Sequence, residues 1–244
     1  MERDEYAIMY RVEDRHWWYT GLRAMLDFAW DGFVPERPIL LLDAGCGTGA
    51  NLKHFTPRVE QACGIDLSQY ALSFCKSRNI ATARASAAKL PFADASFHVI
   101  LSCDVLYHSN IENPLVALEE LHRVLKPDGV LMLNLPAYEW LYSSHDRHIH
   151  TARRFTKRRV KRMVEEAGFE CVYATYWNML LFPAIAAARI WRKLRPRHAS
   201  DLNTSEDSAF SPIAGTVLNI ERALLRFAPM PFGLSVFCVA RRRG

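Results

Sequence analysis

The sequence predicts a doubly wound α/β domain, in which helices cover both faces of a largely parallel sheet. Short, continuous apolar runs recur along the 244 residues, amphipathic stretches separate them, and no internal repeat interrupts the alternation. Fully apolar runs are typical of strands buried on both faces, and their alternation with helices favours parallel strands joined by crossovers. A chain of this length is expected to form a single domain around one substantial core.

The apolar runs predict strands at 39–44, 62–65, 97–103, 130–135, 170–177 and 234–241. Helices are predicted between them at 69–78, 113–124 and 156–167. Thr156 is expected to cap the last of these helices and Gly168 to end it. Within the domain, we expect an N-terminal helical lid at 1–35, a cofactor-binding core at 36–177, a helical cap insertion at 178–233 and a final strand at 234–244.

The composition indicates a cytoplasmic protein without a disulfide framework. The six cysteines include no C-x-x-C pair, the N-terminus is charged, and no apolar run is long enough to span a bilayer. Lys and Arg number 31 against 26 for Asp and Glu. Such a small excess of positive charge matters only where it is clustered.

The strand at 39–44 runs directly into three alternating glycines, in the segment 43–49. Glycine allows a tight turn and lets a ligand approach the backbone without a Cβ clash. The spacing G-x-G-x-G differs from the dinucleotide-binding G-x-G-x-x-G, and Asp43 favours a ligand with a cationic end. Asp66, at the end of the next strand, is placed to bind both hydroxyls of a ribose, as in NAD or S-adenosylmethionine.

Four ordered motifs, at 43–49, 64–68, 88–100 and 104–108, resemble those of class I S-adenosylmethionine-dependent methyltransferases, most closely the type 11 group. The resemblance covers about Leu40 to Phe169. It implies a Rossmann-like seven-stranded sheet whose last strand is antiparallel, with S-adenosyl-L-methionine as cofactor. Ser86 stands where the family commonly has an Asp facing the adenine amine. The predicted cofactor-binding residues are Asp43, Gly45, Cys46, Gly47, Gly49, Asp66, Leu67, Ser86, Ala87, Asp104, Arg23 and Trp18.

The aromatic segment 16–19 precedes the sheet and has two interpretations. It is either a lid over the cofactor, with Trp18 facing the sulfonium and Arg23 its carboxylate, or a helix that packs its aromatic side chains on the sheet.

The segment 145–155 follows the strand at 130–135 and is rich in histidine. It is similar to the H-D…H-T-x-R-R-F stretch of one branch of these methyltransferases. Because a neutral histidine can take a proton from a hydroxyl group, His145 is the first candidate for a general base, with His108 and His150 as alternatives. Arg153, Arg154 and Tyr107 are predicted to bind the acceptor, and no metal is expected.

The basic run at 153–162 is expected to form a solvated helix face, with RNA binding as the alternative. The segment 179–197 is interpreted as a cap over the acceptor, with a peripheral membrane contact as a further expectation. We therefore predict an SN2 methyl transfer, at oxygen, to a small-molecule or lipid- or sugar-linked acceptor, with nucleic acid not expected as a partner. The alternatives are a non-catalytic S-adenosylmethionine-binding partner protein, an NAD-linked oxidoreductase, and an RNA methyltransferase that uses the basic run.

Overall fold

The structure is a computed structural model that describes residues 3–194, 207–225 and 227–243. Within these ranges the side chains of His145, Asn219 and residues 192–194 and 207–214 are not described. None of the described helices is long and apolar enough to cross a membrane.

Seven strands of the described chain form one sheet, in the order β3-β2-β1-β4-β5-β7-β6. The strands are β1 Leu40–Ala44, β2 Gln61–Asp66, β3 Ala81–Arg84, β4 Phe97–Cys103, β5 Leu125–Pro136, β6 Phe169–Trp177 and β7 Ser235–Arg242. β1 to β5 pair in parallel, whereas β7 runs antiparallel to both β5 and β6. The predicted Rossmann-like sheet with an antiparallel last strand is confirmed.

The helices alternate with the strands as the sequence predicts. They are α1 Arg3–Val12, α2 Trp17–Phe33, α3 Ala50–Phe55, α4 Gln69–Ser77, α5 Pro114–Val124, α6 Ser144–His148, α7 Lys157–Glu166, α8 Phe182–Leu194 and α9 Asp207–Leu225. The central strands carry fully buried apolar side chains such as Leu41, Ile100 and Leu131. These residues form the core between the two helical layers.

The short edge strand β3 is absent from the predicted elements. Three of its four residues, including Ala81 and Arg84, are exposed, so the strand lacks the apolar run that identifies its neighbours. Its pairing with β2 comes from tertiary structure, since Gly64 and Ile65 lie opposite Thr82 and Ala83.

The strand order reverses between β1 and β4, and this reversal determines where a ligand can bind. β2 and β3 lie on one side of β1, and β5 lies beyond β4. The loops after adjacent strands then lead to opposite faces of the sheet, which leaves a crevice at the carboxyl ends of β1 and β4. The glycine segment follows β1, and Asp104 follows β4.

The cap of α7 provides a test of the local folding rules. The exposed Thr156 accepts a hydrogen bond from the backbone N–H of Arg159 at 3.3 Å, as predicted. Replacing Thr156 with Ala is expected to lower the free energy of unfolding by about 1 kcal/mol, because one helical N–H loses its partner. Denaturant titration measures this change. Thr156→Ser retains the hydroxyl and serves as the control; equal losses in the two variants would contradict the role of the cap.

Candidate active site

A cavity of about 790 Å³ lies at the carboxyl ends of β1, β2 and β4. Its volume is within the range of about 300–1,000 Å³ that is usual for small-molecule and cofactor sites. Residues of α1 and α2 cover one side, and Ala184, Ile185, Ala188 and Arg189 of α8 also line the cavity. Helices α1, α2 and α8 thus border the crevice that the strand order creates.

The glycine segment adopts a backbone conformation that few other residues could follow. Gly45, Gly47 and Gly49 have φ angles of +99°, +53° and +86°. A Cβ at Gly45 would lie 2.2 Å from Cγ2 of Val105, and such a contact is a steric clash. The glycines are therefore required by the turn itself and by its close packing on the loop after β4.

The Asp66 carboxylate connects the ends of β1 and β2. Oδ2 accepts a hydrogen bond from the Gly47 N–H at 3.0 Å, and Oδ1 accepts one from the Ser68 N–H at 2.8 Å. Burial raises the pKa of Asp66, while these two backbone hydrogen bonds lower it. Because each carboxylate oxygen has a second lone pair and Asp66 lines the cavity, the side chain can also accept from a pair of ribose hydroxyls.

These features fit S-adenosylmethionine. The left-handed turn leaves room for the ligand next to the backbone, and the Asp66 carboxylate is suited to the ribose. Cys46, Leu67, Ala87 and Trp18 also line the cavity, as their predicted role requires.

Four of the predicted cofactor-binding residues do not line the cavity. Asp43 is only 1% exposed, and neither of its carboxylate oxygens has a hydrogen-bond partner among the described residues. Burial, with a contribution from Asp66, raises its pKa to about 7.

The other three residues have structural contacts. Gly49 caps α3, and the Ser86 hydroxyl accepts from the Ala88 N–H. Arg23 donates to the Glu13 carbonyl at 2.7 Å, so it joins α2 to the segment after α1.

A buried carboxylate anchors the N-terminal helices to the glycine segment, a contact absent from the sequence-based predictions. Glu13, which is 3% exposed, accepts from the Thr48 hydroxyl at 2.5 Å and from Arg78 at 2.8 Å. The Arg78 guanidinium also lies 4.7 Å from the centre of the Tyr10 ring. A carboxylate in the first helical segment, 35 residues from Thr48, gives no signal of this pairing in the sequence.

The loops after β4 and β5 add polar and charged groups to the lining of the cavity. Asp104, Tyr107 and His108 come from the loop after β4, and Asp146 and Arg154 from the histidine-rich segment. Arg154 is paired with Asp146, with Nε 2.9 Å from Oδ1. This pair is buried and fixes the segment between β5 and α7.

The predicted acceptor residues separate into two groups. Tyr107 and Arg154 line the cavity, whereas Arg153 donates to the carbonyl groups of Ile111 at 2.6 Å and Glu112 at 3.3 Å. Its guanidinium therefore anchors the loop after β4.

The histidines predicted as bases differ in their positions. His108 lines the cavity, and burial, the largest cause, lowers its pKa to about 4. His150 does not line the cavity, and its ring centre is 5.8 Å from that of His108. The side chain of His145 lies outside the described part of the chain. In the part that is described, no three His, Cys, Asp or Glu side chains are placed to hold a metal ion.

Comparison with known proteins identifies the domain. A protein-family model described as "Methyltransferase domain" matches residues 42–133. A probable tRNA methyltransferase 9B of Bos taurus is 33% identical over 110 residues, which are 45% of this chain and 23% of that protein. A tRNA (carboxymethyluridine(34)-5-O)-methyltransferase of Arabidopsis thaliana is 33% identical over 104 residues, which are 41% of this chain and 24% of that protein.

The fold has a structural counterpart over almost its whole length. The methyltransferase solved in complex with the Trm112 methyltransferase activator of Haloferax volcanii superposes on this chain with a TM-score of 0.65 and 19% sequence identity. The superposition covers 99% of this chain and 96% of that methyltransferase. This likeness concerns the fold alone. The chain spans only about a quarter of the length of the two tRNA methyltransferases.

The expectation of a small-molecule or lipid- or sugar-linked acceptor, with nucleic acid not expected as a partner, is wrong. The two relatives reported above are tRNA methyltransferases by name. The error came from treating the basic run as a solvated helix face without an aromatic neighbour. The structure brings the exposed Trp140 close to that run, because Glu139 contacts both Arg154 and Arg159. The suggested membrane segment ends at 195–197, outside the described residues.

The glycine turn can be tested by adding a single carbon. Gly45→Ala is expected to abolish binding of S-adenosylhomocysteine, because the new Cβ clashes with Val105 and the φ angle is unfavourable. Gly32→Ala is the control, since no atom lies within 4 Å of a Cβ there. Isothermal titration calorimetry measures the affinity, and circular dichroism checks the fold. Unchanged affinity in folded Gly45→Ala protein would contradict the assigned cofactor site.

The sheet order, the glycine turn and the matched family model all point to the same enzyme class. The match runs from within β1 to within β5 and includes the glycine segment and Asp66. Residues 42–133 are a methyltransferase domain of the type 11 group, and the sheet around them has the fold of class I S-adenosylmethionine-dependent methyltransferases, whose cofactor is S-adenosyl-L-methionine.

Proposed function

We propose that this protein transfers the methyl group of S-adenosylmethionine to an oxygen atom of an RNA. The observation that carries the proposal is a single cavity that is lined both by the glycine turn and Asp66 and by the polar groups Asp104, Tyr107 and His108. A donor and an acceptor bound in this space are held within one enclosure. Such alignment provides much of the rate acceleration in a displacement reaction.

The charge on α7 supports RNA as the acceptor. The basic face, defined as Lys157, Arg158, Arg159, Lys161 and Arg162, begins directly after the segment 154–156, whose first residue lines the cavity. Four of its five residues are exposed, and Lys157 is half-buried. A cluster of this kind at the entrance of a site is suited to the phosphates of a nucleic acid.

Aromatic groups next to the basic face support a single-stranded substrate. Trp140 is 48% exposed and stacks on Tyr138 with 5.9 Å between the ring centres. The neighbouring Glu139 lies 3.8 Å from Arg159 of the basic face. Exposed aromatic rings beside cations are the arrangement on which unpaired bases stack. The names of the tRNA methyltransferase relatives agree with this proposal.

The chain contributes mainly binding and positioning to the reaction. S-adenosylmethionine supplies a methyl group on a cationic sulfur, which departs as a neutral thioether. The apolar groups of α2 and α8 exclude water from the cavity, and the paired Asp146 and Arg154 hold the acceptor segment in place. A hydroxyl acceptor must also lose its proton, so a base is needed beside the bound hydroxyl group.

The direct test uses methyl-labelled S-adenosylmethionine and total RNA from cells of the source organism that lack this protein. We expect label in nucleosides obtained from the RNA with ribonuclease and phosphatase, with the methyl group on oxygen. Label confined to material that resists ribonuclease, such as small metabolites or protein, would contradict the proposal.

The basic face can be tested by charge reversal. Arg158→Glu combined with Arg162→Glu is expected to raise the KM for RNA by more than about tenfold and to reduce the salt dependence of binding, because two phosphate contacts are lost. The affinity for S-adenosylhomocysteine is expected to stay the same. Filter binding at several salt concentrations and methyl-transfer kinetics measure the two effects.

A matched control separates local from overall charge. Arg37→Glu combined with Arg243→Glu also lowers the net charge from +5 by four units, since each change removes two. Arg37 precedes β1 and Arg243 follows β7, so both lie at the sheet edge opposite the cavity. Equal losses of RNA affinity in the two double variants would contradict the role of α7.

A further inference from the structure

Asp104 has an unusual backbone conformation in the lining of the cavity. It directly follows β4, lines the cavity, and has a φ angle of +58°. A non-glycine residue in the left-handed region costs about 1 kcal/mol or more and is often found at functional sites. Its backbone N–H donates to the Asn134 carbonyl at 2.8 Å, which fixes the turn against β5.

A chain of two hydrogen bonds orients the Asp104 carboxylate. Oδ2 accepts from the Asn134 amide nitrogen at 2.9 Å, and the Asn134 amide oxygen accepts from the Trp177 indole N–H at 2.7 Å. Asn134 is fully buried and Trp177 is 1% exposed. Because an indole can only donate, the amide of Asn134 can have only this orientation. No hydrogen bond to Oδ1 is found among the described residues, so this oxygen is available to a ligand.

The charged and titratable groups around Asp104 leave it as the best proton acceptor in this part of the cavity. Tyr19 of α2 and Tyr107 of its own loop have raised pKa values, chiefly from burial, and are neutral phenols near pH 7. Arg154 is paired with Asp146. Burial raises the pKa of Asp104 to about 7, although the Asn134 hydrogen bond and the Arg154 charge lower it. A general base is most effective when its pKa is near the working pH.

His108 is less suited to accept a proton. Its Nδ1 accepts a hydrogen bond from the Asn110 N–H at 3.1 Å, so Nε2 carries the hydrogen of the neutral ring. With a pKa of about 4, the ring is neutral and a weak base. It is therefore suited to donate a hydrogen bond.

We propose that Asp104 is the general base for methyl transfer and that Asn134 and Trp177 are positioning residues. The inference rests on the proposed function, because only an acceptor such as a hydroxyl has a proton to lose. In the step, the acceptor O–H bond breaks and its proton passes to Oδ1 of Asp104. The oxygen forms the new bond to carbon, and the sulfur keeps the electron pair of the bond that breaks.

The first test is the isosteric variant Asp104→Asn. Asn tolerates the left-handed conformation, so this variant is expected to fold. We expect kcat to fall about 10²–10⁴-fold, with the affinity for S-adenosylhomocysteine within about threefold of wild type. Wild-type kcat is expected to rise with pH through about 7 as the base loses its proton, whereas the variant is expected to show no such rise.

Two further variants control this result. Asp128→Asn makes the same change at an exposed position of β5 with a φ angle of +61° and is expected to leave kcat unchanged. Asn134→Leu removes the hydrogen bond that lowers the pKa of Asp104, so the pH profile is expected to shift towards higher pH. The inference would be overturned if Asp104→Asn kept the kcat of the wild type. It would also be overturned if the pH dependence of kcat were lost in His108→Asn but not in Asp104→Asn.

A measurement on the protein alone separates this inference from the proposed function. In carboxyl-labelled aspartate NMR spectra, we expect one signal that titrates near pH 7 and disappears in Asp104→Asn; Asp43→Asn identifies the second buried carboxyl with a raised pKa. An Asp104 carboxyl that titrates at the ordinary aspartate pKa of about 4 would overturn the inference. Absence of RNA methylation by wild type, by contrast, would contradict the proposed function.

Discussion

The hydrogen bond from the Gly47 N–H to the Asp66 carboxylate is the interaction on which the site depends. It fixes the turn after β1 relative to the end of β2, so that the two elements expected to contact the cofactor form one surface. The turn can reach this position only with left-handed backbone at its glycines, and the Cβ-free Gly45 lets the loop after β4 pack directly against it. Three strand ends thereby meet in one cavity.

The N-terminal helices use the same turn as their anchor. Thr48, within the turn, donates to the buried Glu13, and Arg78 after α4 completes the contact. Removing two charged groups from water is costly, and the cost is offset only when their hydrogen bonds are satisfied. The cover of the cavity is therefore attached to the element that is expected to bind the cofactor.

Local signals in the sequence were sufficient to predict the central sheet and the cofactor turns. Uninterrupted apolar runs identify β1 and β4, and the glycines with Asp66 identify the part of the cavity that is suited to a ribose. The missed elements are those whose structure depends on distant partners. The exposed strand β3 needs β2 beside it, and Asp104 acquires its hydrogen-bond chain only when β4, β5 and β6 bring Asn134 and Trp177 together.

The positions of the residues expected to bind the acceptor were harder to predict, because these residues come from irregular segments. The histidine content of the segment 145–155 predicts a general base there. In the structure, the best-defined feature of this segment is the Asp146–Arg154 ion pair, which holds it in place. The position of Trp140 near the basic face likewise depends on the contact between Glu139 and Arg159. These two residues are too far apart in the sequence to be neighbours on one helix. Sequence spacing carries no information about such contacts.

Hydrogen–deuterium exchange with and without saturating S-adenosylhomocysteine tests the central claim most directly. The account predicts slower amide exchange in three segments that are separate in sequence but meet at the cavity, namely 43–51, 64–68 and 5–22. The strand β7 at the far side of the sheet is expected to be unaffected over 238–242. Unchanged exchange in the segments 43–51 and 64–68 in the presence of the nucleoside would contradict the account.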